Sequence, residues 1–219
     1  MTLSVDTLTG PTEVAAAAAR LVAELARTGV DRRGRFTFAV SGGRTPANMF
    51  AELATLDVPW GSISIFQVDE RVASEGHEDR NLTLLRASLP AATDVQAMPV
   101  NDPDLKAAAA GYAASLPSRL DLIHLGLGPD GHTASLVPGD PVLEVTDRDV
   151  AVTGEYQCRR RMTMTYPVLD RACTVLWLVT GAEKAGALRR LCECDPSIPA
   201  GRVATEDQRL LCDDAAAAG

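Results

Sequence analysis

Long apolar runs are missing from this chain of 219 residues. No stretch approaches the roughly 20 residues that cross a bilayer, so no membrane association is expected. The opening MTLSVDTLTG has neither a basic n-region nor an apolar h-region, and the expectation is a cytoplasmic protein without a signal peptide. Positive charge is scarce: 21 Lys and Arg against 29 Asp and Glu leave a net charge of −8. That balance argues against nucleic acid, whose phosphate backbone needs a basic face. It leaves room for a small anionic ligand, which needs only a local cationic pocket. The five cysteines (Cys158, Cys173, Cys192, Cys194, Cys212) are odd in number and lack paired zinc-type spacing. They read as free thiols, with no metal site. Cys192 and Cys194, the one close pair, would face apart on a helix. No G-x-S-x-G elbow is present, which removes the usual setting of a serine nucleophile. The sequon Asn81-Leu82-Thr83 reads as accidental without a secretory signal.

What is present is ordinary for a globular protein: 46% hydrophobic and 23% charged residues, over a length that fits one large domain spanning 1–219. Helix and strand signals alternate. Thr12 can cap a helix that runs to Thr28 and stops at Gly29, with Val14, Ala18, Leu21, Val22 and Leu25 as its apolar stripe. Residues 36–40 read as a strand. Thr45 and Pro46 read as N-cap and first position of a helix through Leu53. Residues 63–68 form a second strand, 81–88 a helix, 102–116 a helix, and 121–126 a third strand. A short extended segment lies near 150–152. A strongly apolar strand at 174–179 precedes a helix over 182–192, and 202–204 and 209–212 are placed as an edge pair. No repeat or composition break divides the chain. The alternation implies an α/β fold with a Rossmann-like, mostly parallel sheet and helices on both faces.

Four polar motifs each follow a predicted strand directly: Ser41-Gly42-Gly43-Arg44-Thr45-Pro46, Asp69-Glu70-Arg71, Gly128-Pro129-Asp130-Gly131-His132, and Gly181-Ala182-Glu183-Lys184. In a parallel sheet these loops gather along one rim, so the active site is expected at the C-terminal strand ends. The Ser41–Thr45 turn has the parts of an anion cradle: exposed glycine N–H groups, a helix N-terminus and Arg44. A plain strand-to-helix turn would also use glycine here. A charge triplet such as 69–71 is commonly a solvated loop, and its place on the rim is what favours a site. Lys184 opposes the dipole of the helix it starts, a conflict that a bound phosphate would remove. Among the histidines, His124 lies inside a strand and reads as a satisfied core residue, and His77 sits in a polar run and reads as exposed. His132 combines a glycine turn, a nearby carboxylate and a strand end. An unperturbed imidazole is mostly neutral at pH 7 and can accept a proton from water.

These blocks, in this order, resemble the 6-phosphogluconolactonase family, which shares its fold with glucosamine-6-phosphate deaminases and isomerases. The resemblance runs through SGGRTP at 41–46, VDER at 68–71, His124 to Gly139, RMTMTYPVL at 161–169, VTGAEKA at 179–185 and DDAAA at 213–217. GPDGHTASLVPG is its most specific block. It implies hydrolysis of 6-phosphoglucono-δ-lactone to 6-phosphogluconate, the second step of the oxidative pentose phosphate route, with no metal or organic cofactor. A small-molecule sugar phosphate is then the expected partner, and a monomer or small homo-oligomer the expected state. By resemblance His132 is the base and Asp130 its neighbouring carboxylate. Asp69 and Arg71 are the acidic and basic members of the second loop. Ser41, Gly42, Gly43, Arg44, Thr45 and Lys184 match groups that hold phosphate, and Arg161 matches a family arginine.

Two departures bear on this reading. The deaminase branch is expected to carry a glutamate five residues after the histidine, and Val137 stands there, which favours the lactonase. Cys212 replaces a more common aromatic or leucine, a difference in packing. A non-catalytic sugar-phosphate sensor of the transcription-regulator type would need a helix-turn-helix segment, and a first core helix starting near Thr12 leaves no room for one.

Overall fold

The computed structural model describes residues 2–90 and 93–218, apart from the side chain of Arg44. Seven strands form a fully parallel sheet: β1 (Thr2–Leu8), β2 (Phe36–Val40), β3 (Ile63–Gln67), β5 (Asp94–Gln96), β6 (Leu122–Gly126), β9 (Thr174–Val179) and β10 (Asp207–Asp213). Their order is β1-β10-β9-β6-β2-β3-β5. A second, antiparallel sheet of three short strands, β4 (Asp69–Arg71), β8 (Arg161–Met164) and β7 (Val150–Val152), abuts it. The α/β reading of the sequence therefore holds.

The two-residue period of each strand sorts side chains onto two cores. Phe36, Phe38 and Val40 of β2, Ile63 and Ile65 of β3, Leu122 of β6, and Leu176 and Leu178 of β9 face one side. There they meet α1 (Pro11–Arg33), α2 (Arg44–Leu53) and α3 (Asn81–Ser88). The alternate positions, among them Ala39, Phe66, Ile123, Leu125, Val175 and Trp177, face the other side. That side is covered by α4 (Leu105–Ser115), α5 (Tyr166–Asp170), α6 (Ala185–Cys192) and the small sheet, with α7 (Asp214–Ala217) closing the chain. Near-continuous apolar runs such as TVLWLV are what burial on both faces demands.

Several boundaries differ from expectation. The first helix is capped by Gly10 with Pro11 at its first position, so Thr12 does not cap it. It runs through Gly29, which lies against Phe36 where a Cβ would come within 2.8 Å of the ring. It stops at Gly34, whose φ of 72° suits glycine. Gly43, not Thr45, is the N-cap of α2. A short 3₁₀ turn at 182–184 precedes α6. Residues 209–212 do not pair with 202–204: they lie within β10, between β1 and β9. β1 has no counterpart in the sequence reading, because TLSVDTL alternates only over Thr2 to Asp6 and most of its residues are exposed.

The chain builds outward from β2 through β3 to β5, then returns to the other side of β2 with β6. The strand order reverses between β2 and β6, and crevices at such a switch point are where open α/β sheets bind ligands.

Candidate active site

Loops leaving β2, β3, β6 and β9 enclose a cavity of roughly 220 Å³ over that switch point. Of the residues singled out in the sequence, Ser41, Gly42, Gly43, Thr45, Asp69, Arg71, His132, Arg161 and Lys184 line it. Asp130 stands behind His132. The Arg44 side chain lies outside the described part of the structure.

The loop after β6 is wound tightly. Gly128 N–H donates to the His132 carbonyl at 2.8 Å, and Gly131 N–H donates to Gly128 C=O at 3.0 Å. Gly131 has φ 83°, and a Cβ on it would meet Ile198 at 2.5 Å. The result sets Asp130 Oδ1 at 2.6 Å from His132 Nδ1 and at 3.2 Å from its backbone N–H. With Nδ1 committed to the carboxylate, Nε2 is the ring nitrogen free to act. Burial works against the Asp130 carboxylate, but the bonds from the His132 ring and backbone outweigh it and hold its pKa below the ordinary value. Val137, five residues beyond His132, is a buried core residue.

The charge triplet is a strand with divided duties. Glu70, fully buried, accepts the N–H groups of Arg71, Asn81 and Leu82 and an amide N–H of Gln67. Arg80 Nε lies 3.0 Å from the same carboxylate. Two of those N–H groups open α3, so Glu70 ties that helix to β4 and does not reach the cavity. Asp69 points the other way. Ser135 Oγ donates to its Oδ2 at 2.6 Å and Asn81 Nδ2 to its Oδ1 at 3.2 Å. Burial pushes its pKa up, against the Ser135 bond and the charges of Arg71 and Arg161. Asp69 thus lines the cavity with Arg71 and Arg161, and the carboxylate on His132 is Asp130.

Arg71 and Arg161 sit directly opposite each other in the β4–β8 register. Like charges facing across an antiparallel pair are destabilising by a few tenths of a kcal/mol or more, about as much as a good pair contributes. Arg71 is held by Asn81 Oδ1 at 2.7 Å and Asp79 C=O at 3.0 Å. Arg161 is 4% exposed, and its Nε has no partner among the described residues. Burial lowers its pKa, opposed by Asp69. Such a pair around a single carboxylate has cationic capacity to spare for an anion.

The opposite wall carries the turn after β2. A Cβ on Gly42 would fall 1.9 Å from Asn81 Oδ1, and Gly43 has φ 126°, so both positions require glycine. Among the described residues no acceptor takes the Gly42 or Gly43 backbone N–H. Ser41 is already engaged: its N–H meets His124 Nδ1 at 3.3 Å and its hydroxyl donates to His124 C=O at 3.2 Å. It is poorly placed as a nucleophile. Thr45 Oγ1 bonds Thr180 Oγ1 at 3.0 Å, joining this turn to the one that carries Lys184. Lys184 is the N-cap of α6, and it lines the same cavity as Gly43 and Thr45 at the N-terminus of α2.

His124 is buried and its pKa is pushed down to about 3 by burial, so it is neutral. Only one of its ring nitrogens is satisfied, because Nε2 has no partner among the described residues. His77 is half-buried and meets Asp79 and Arg159, where the sequence suggested open solvent. Sequence reasoning passed over Asn81, Ser135 and Tyr156. Ser135 stood inside the most specific block, whereas Asn81 and Tyr156 gave no local sign of their role.

Among the described residues no helix is long and apolar enough to cross a membrane, and no cluster of His, Cys, Asp or Glu side chains could hold a metal ion. The described cysteines are free thiols, with Cys212 buried.

Residues 9–212 match the family model described as glucosamine-6-phosphate isomerases/6-phosphogluconolactonase. A 6-phosphogluconolactonase of Nostoc is 34% identical over 87% of this chain and 85% of its own length. One from Synechocystis is 38% identical over 76% of each chain. The crystal structure of a 6-phosphogluconolactonase from Shewanella baltica superposes with a TM-score of 0.88 at 21% identity, covering 97% of this chain and 98% of that one. A monomeric glucosamine-6-phosphate deaminase superposes almost as well, with a TM-score of 0.84 at 20% identity, over 100% of this chain and 99% of that one. The fold is therefore common to both activities and does not choose between them.

Proposed function

The chain belongs to the glucosamine-6-phosphate isomerase and 6-phosphogluconolactonase family, and from that premise we propose that it is a lactonase, opening 6-phosphoglucono-δ-lactone to 6-phosphogluconate in the oxidative pentose phosphate route. The observation that carries the choice is local. Asp130 and His132 form an acid/base pair beside a cationic cavity, while the position expected to hold the deaminase glutamate is the buried Val137. The relatives named above as lactonases support the same choice by sequence.

The substrate phosphate docks between the Gly42–Gly43 N–H groups, the N-terminus of α2 and Lys184. That anchor sets the lactone carbonyl before His132. Nε2 takes a proton from water as the water oxygen bonds to C1, and the carbonyl electrons move onto oxygen. Arg161 and Arg71 stabilise this oxyanion, with the nearby Asp69 charge offsetting their mutual repulsion. The intermediate collapses by re-forming the carbonyl and breaking the bond from C1 to the ring oxygen, which receives the proton from Nε2. Asp130 favours the imidazolium between the two transfers. No acyl-enzyme forms, since a lactone is already an activated ester and Ser41 is tied to the β6 backbone. One domain over 1–219 carries the reaction, supported by the first and last strands lying side by side in one sheet.

Purified protein given freshly generated lactone should accelerate opening well above the spontaneous rate, and it should release no ammonia from glucosamine 6-phosphate. Ammonia release at a comparable rate would overturn the choice.

A further inference from the structure

Tyr156 does not line the cavity, yet it touches the groups that set the His132 ring. Its hydroxyl lies 3.3 Å from Asp130 Oδ2, the carboxylate oxygen that His132 leaves free. Its ring meets the imidazole edge to face, at 5.6 Å between centroids and 64° between planes. The Arg161 guanidinium sits over the Tyr156 ring at 5.0 Å. One aromatic side chain thus joins the acid, the base and a cavity arginine.

We propose that Tyr156 is a positioning residue for the Asp130–His132 pair, fixing the plane of the carboxylate and the tilt of the imidazole so that Nε2 faces the cavity. The proposal rests on the lactonase reading for its kinetic consequence, though not for its geometry. The terminal torsion of an aspartate is broad, so a carboxylate held through Oδ1 alone can swing. A second contact at Oδ2 removes that freedom. The phenol is suited to give it: burial and the negative charge of Asp130 both raise its pKa, so it keeps its proton and donates. At 3.3 Å the bond is long for O–H···O, as contacts in substrate-free sites often are.

The backbone around Tyr156 is shaped for this placement. Tyr156 and Arg159 exchange N–H···O=C bonds of 3.0 and 3.2 Å across a two-residue turn. Its central residues, Gln157 and Cys158, both have positive φ, 51° and 61°, which such hairpins require and which side chains other than glycine seldom adopt. Arg161 holds the turn down a second time, donating from Nη2 to Gln157 Oε1 at 3.1 Å. The hairpin between β7 and β8 is therefore fastened to the cavity wall by a residue of that wall.

The test is Tyr156→Phe in the full chain, which keeps the ring and removes the hydroxyl. With freshly generated lactone, kcat should fall about 10-fold, the lower end of the range of one hydrogen bond to a charged group, while KM stays within about twofold. The acid limb of the pH–rate profile should move to higher pH, because a carboxylate relieved of the phenol draws the imidazole proton more strongly. In an Asp130→Asn background the same substitution should cost nothing further. Unchanged kcat with an unmoved limb, or an equal loss in the Asp130→Asn background, would overturn the proposal. If the wild-type protein does not hydrolyse lactone, the functional reading fails on its own. Tyr156 is then judged by NMR titration of the His132 ring, which should move to higher pH in Tyr156→Phe and would count against positioning if it stayed put.

Discussion

Gly128 and His132 share a space that admits one side chain. The Gly128 N–H donates to the His132 carbonyl at 2.8 Å, folding the loop back on itself. A Cβ on Gly128 would then lie 2.1 Å from His132 Nδ1 and 2.6 Å from Asp130 Oδ1. The imidazole occupies the room that glycine leaves, so Gly128→Ala must displace the ring or the carboxylate. Displacements of about 1 Å in a reacting group can cost about 10²-fold in rate. The variant should fold, by circular dichroism and thermal melting, and lose about that much turnover. A folded variant with full activity would mean that the ring position seen here is not the working one.

Asp130→Asn keeps the shape of the side chain and removes its charge. The amide can present a donor to Nδ1 and so favour the tautomer whose Nε2 is protonated and unable to act as base. Turnover should fall about 10²-fold or more, with lactone KM little changed. Steady-state kinetics on the purified variant decide it, and a loss under threefold would remove Asp130 from the mechanism.

The Asp69 carboxyl gives a pH signature in stability. Burial raises its pKa in the folded chain above the unfolded value near 3.9. The native state then holds this proton more tightly than the unfolded state does. Its contribution to stability is complete below the unfolded pKa and is lost as pH rises through the higher folded value. Asp69→Asn carries no such dependence. Melting wild type and variant side by side from pH 3.5 upward should show the variant gaining on wild type as pH rises. A variant that loses ground to wild type as pH rises would mean that the arginines, and not burial, dominate at Asp69.

Much of this site was readable before the fold. The strands β2, β3, β6 and β9 are apolar runs that end abruptly in glycine or charge, and a parallel sheet turns that pattern into a shared rim. Two elements resisted for different reasons. β1 is an edge strand that exposes most of its residues, and β8, buried throughout, breaks its apolar pattern with Arg161 and Thr163. Division of labour within the triplet was equally hidden, since Glu70 and Asp69 differ only in which side of β4 they face. Asn81 illustrates the limit further. It begins a helix in sequence, and only in space does it fill the gap left by Gly42, hold Asp69 and receive Arg71. Tyr156 depends on a hairpin whose left-handed positions carry Gln and Cys, so the usual glycine signal was missing.

Lactone opening by this mechanism requires His132 as the base. The most direct measurement is lactone opening by His132→Ala, corrected for the spontaneous reaction, alongside binding of 6-phosphogluconate to the same variant. Turnover should fall by about 10²- to 10⁴-fold, the usual contribution of a general base, while product binding stays close to that of the wild type because the phosphate anchor is untouched. Near-wild-type turnover by folded His132→Ala protein would contradict the account.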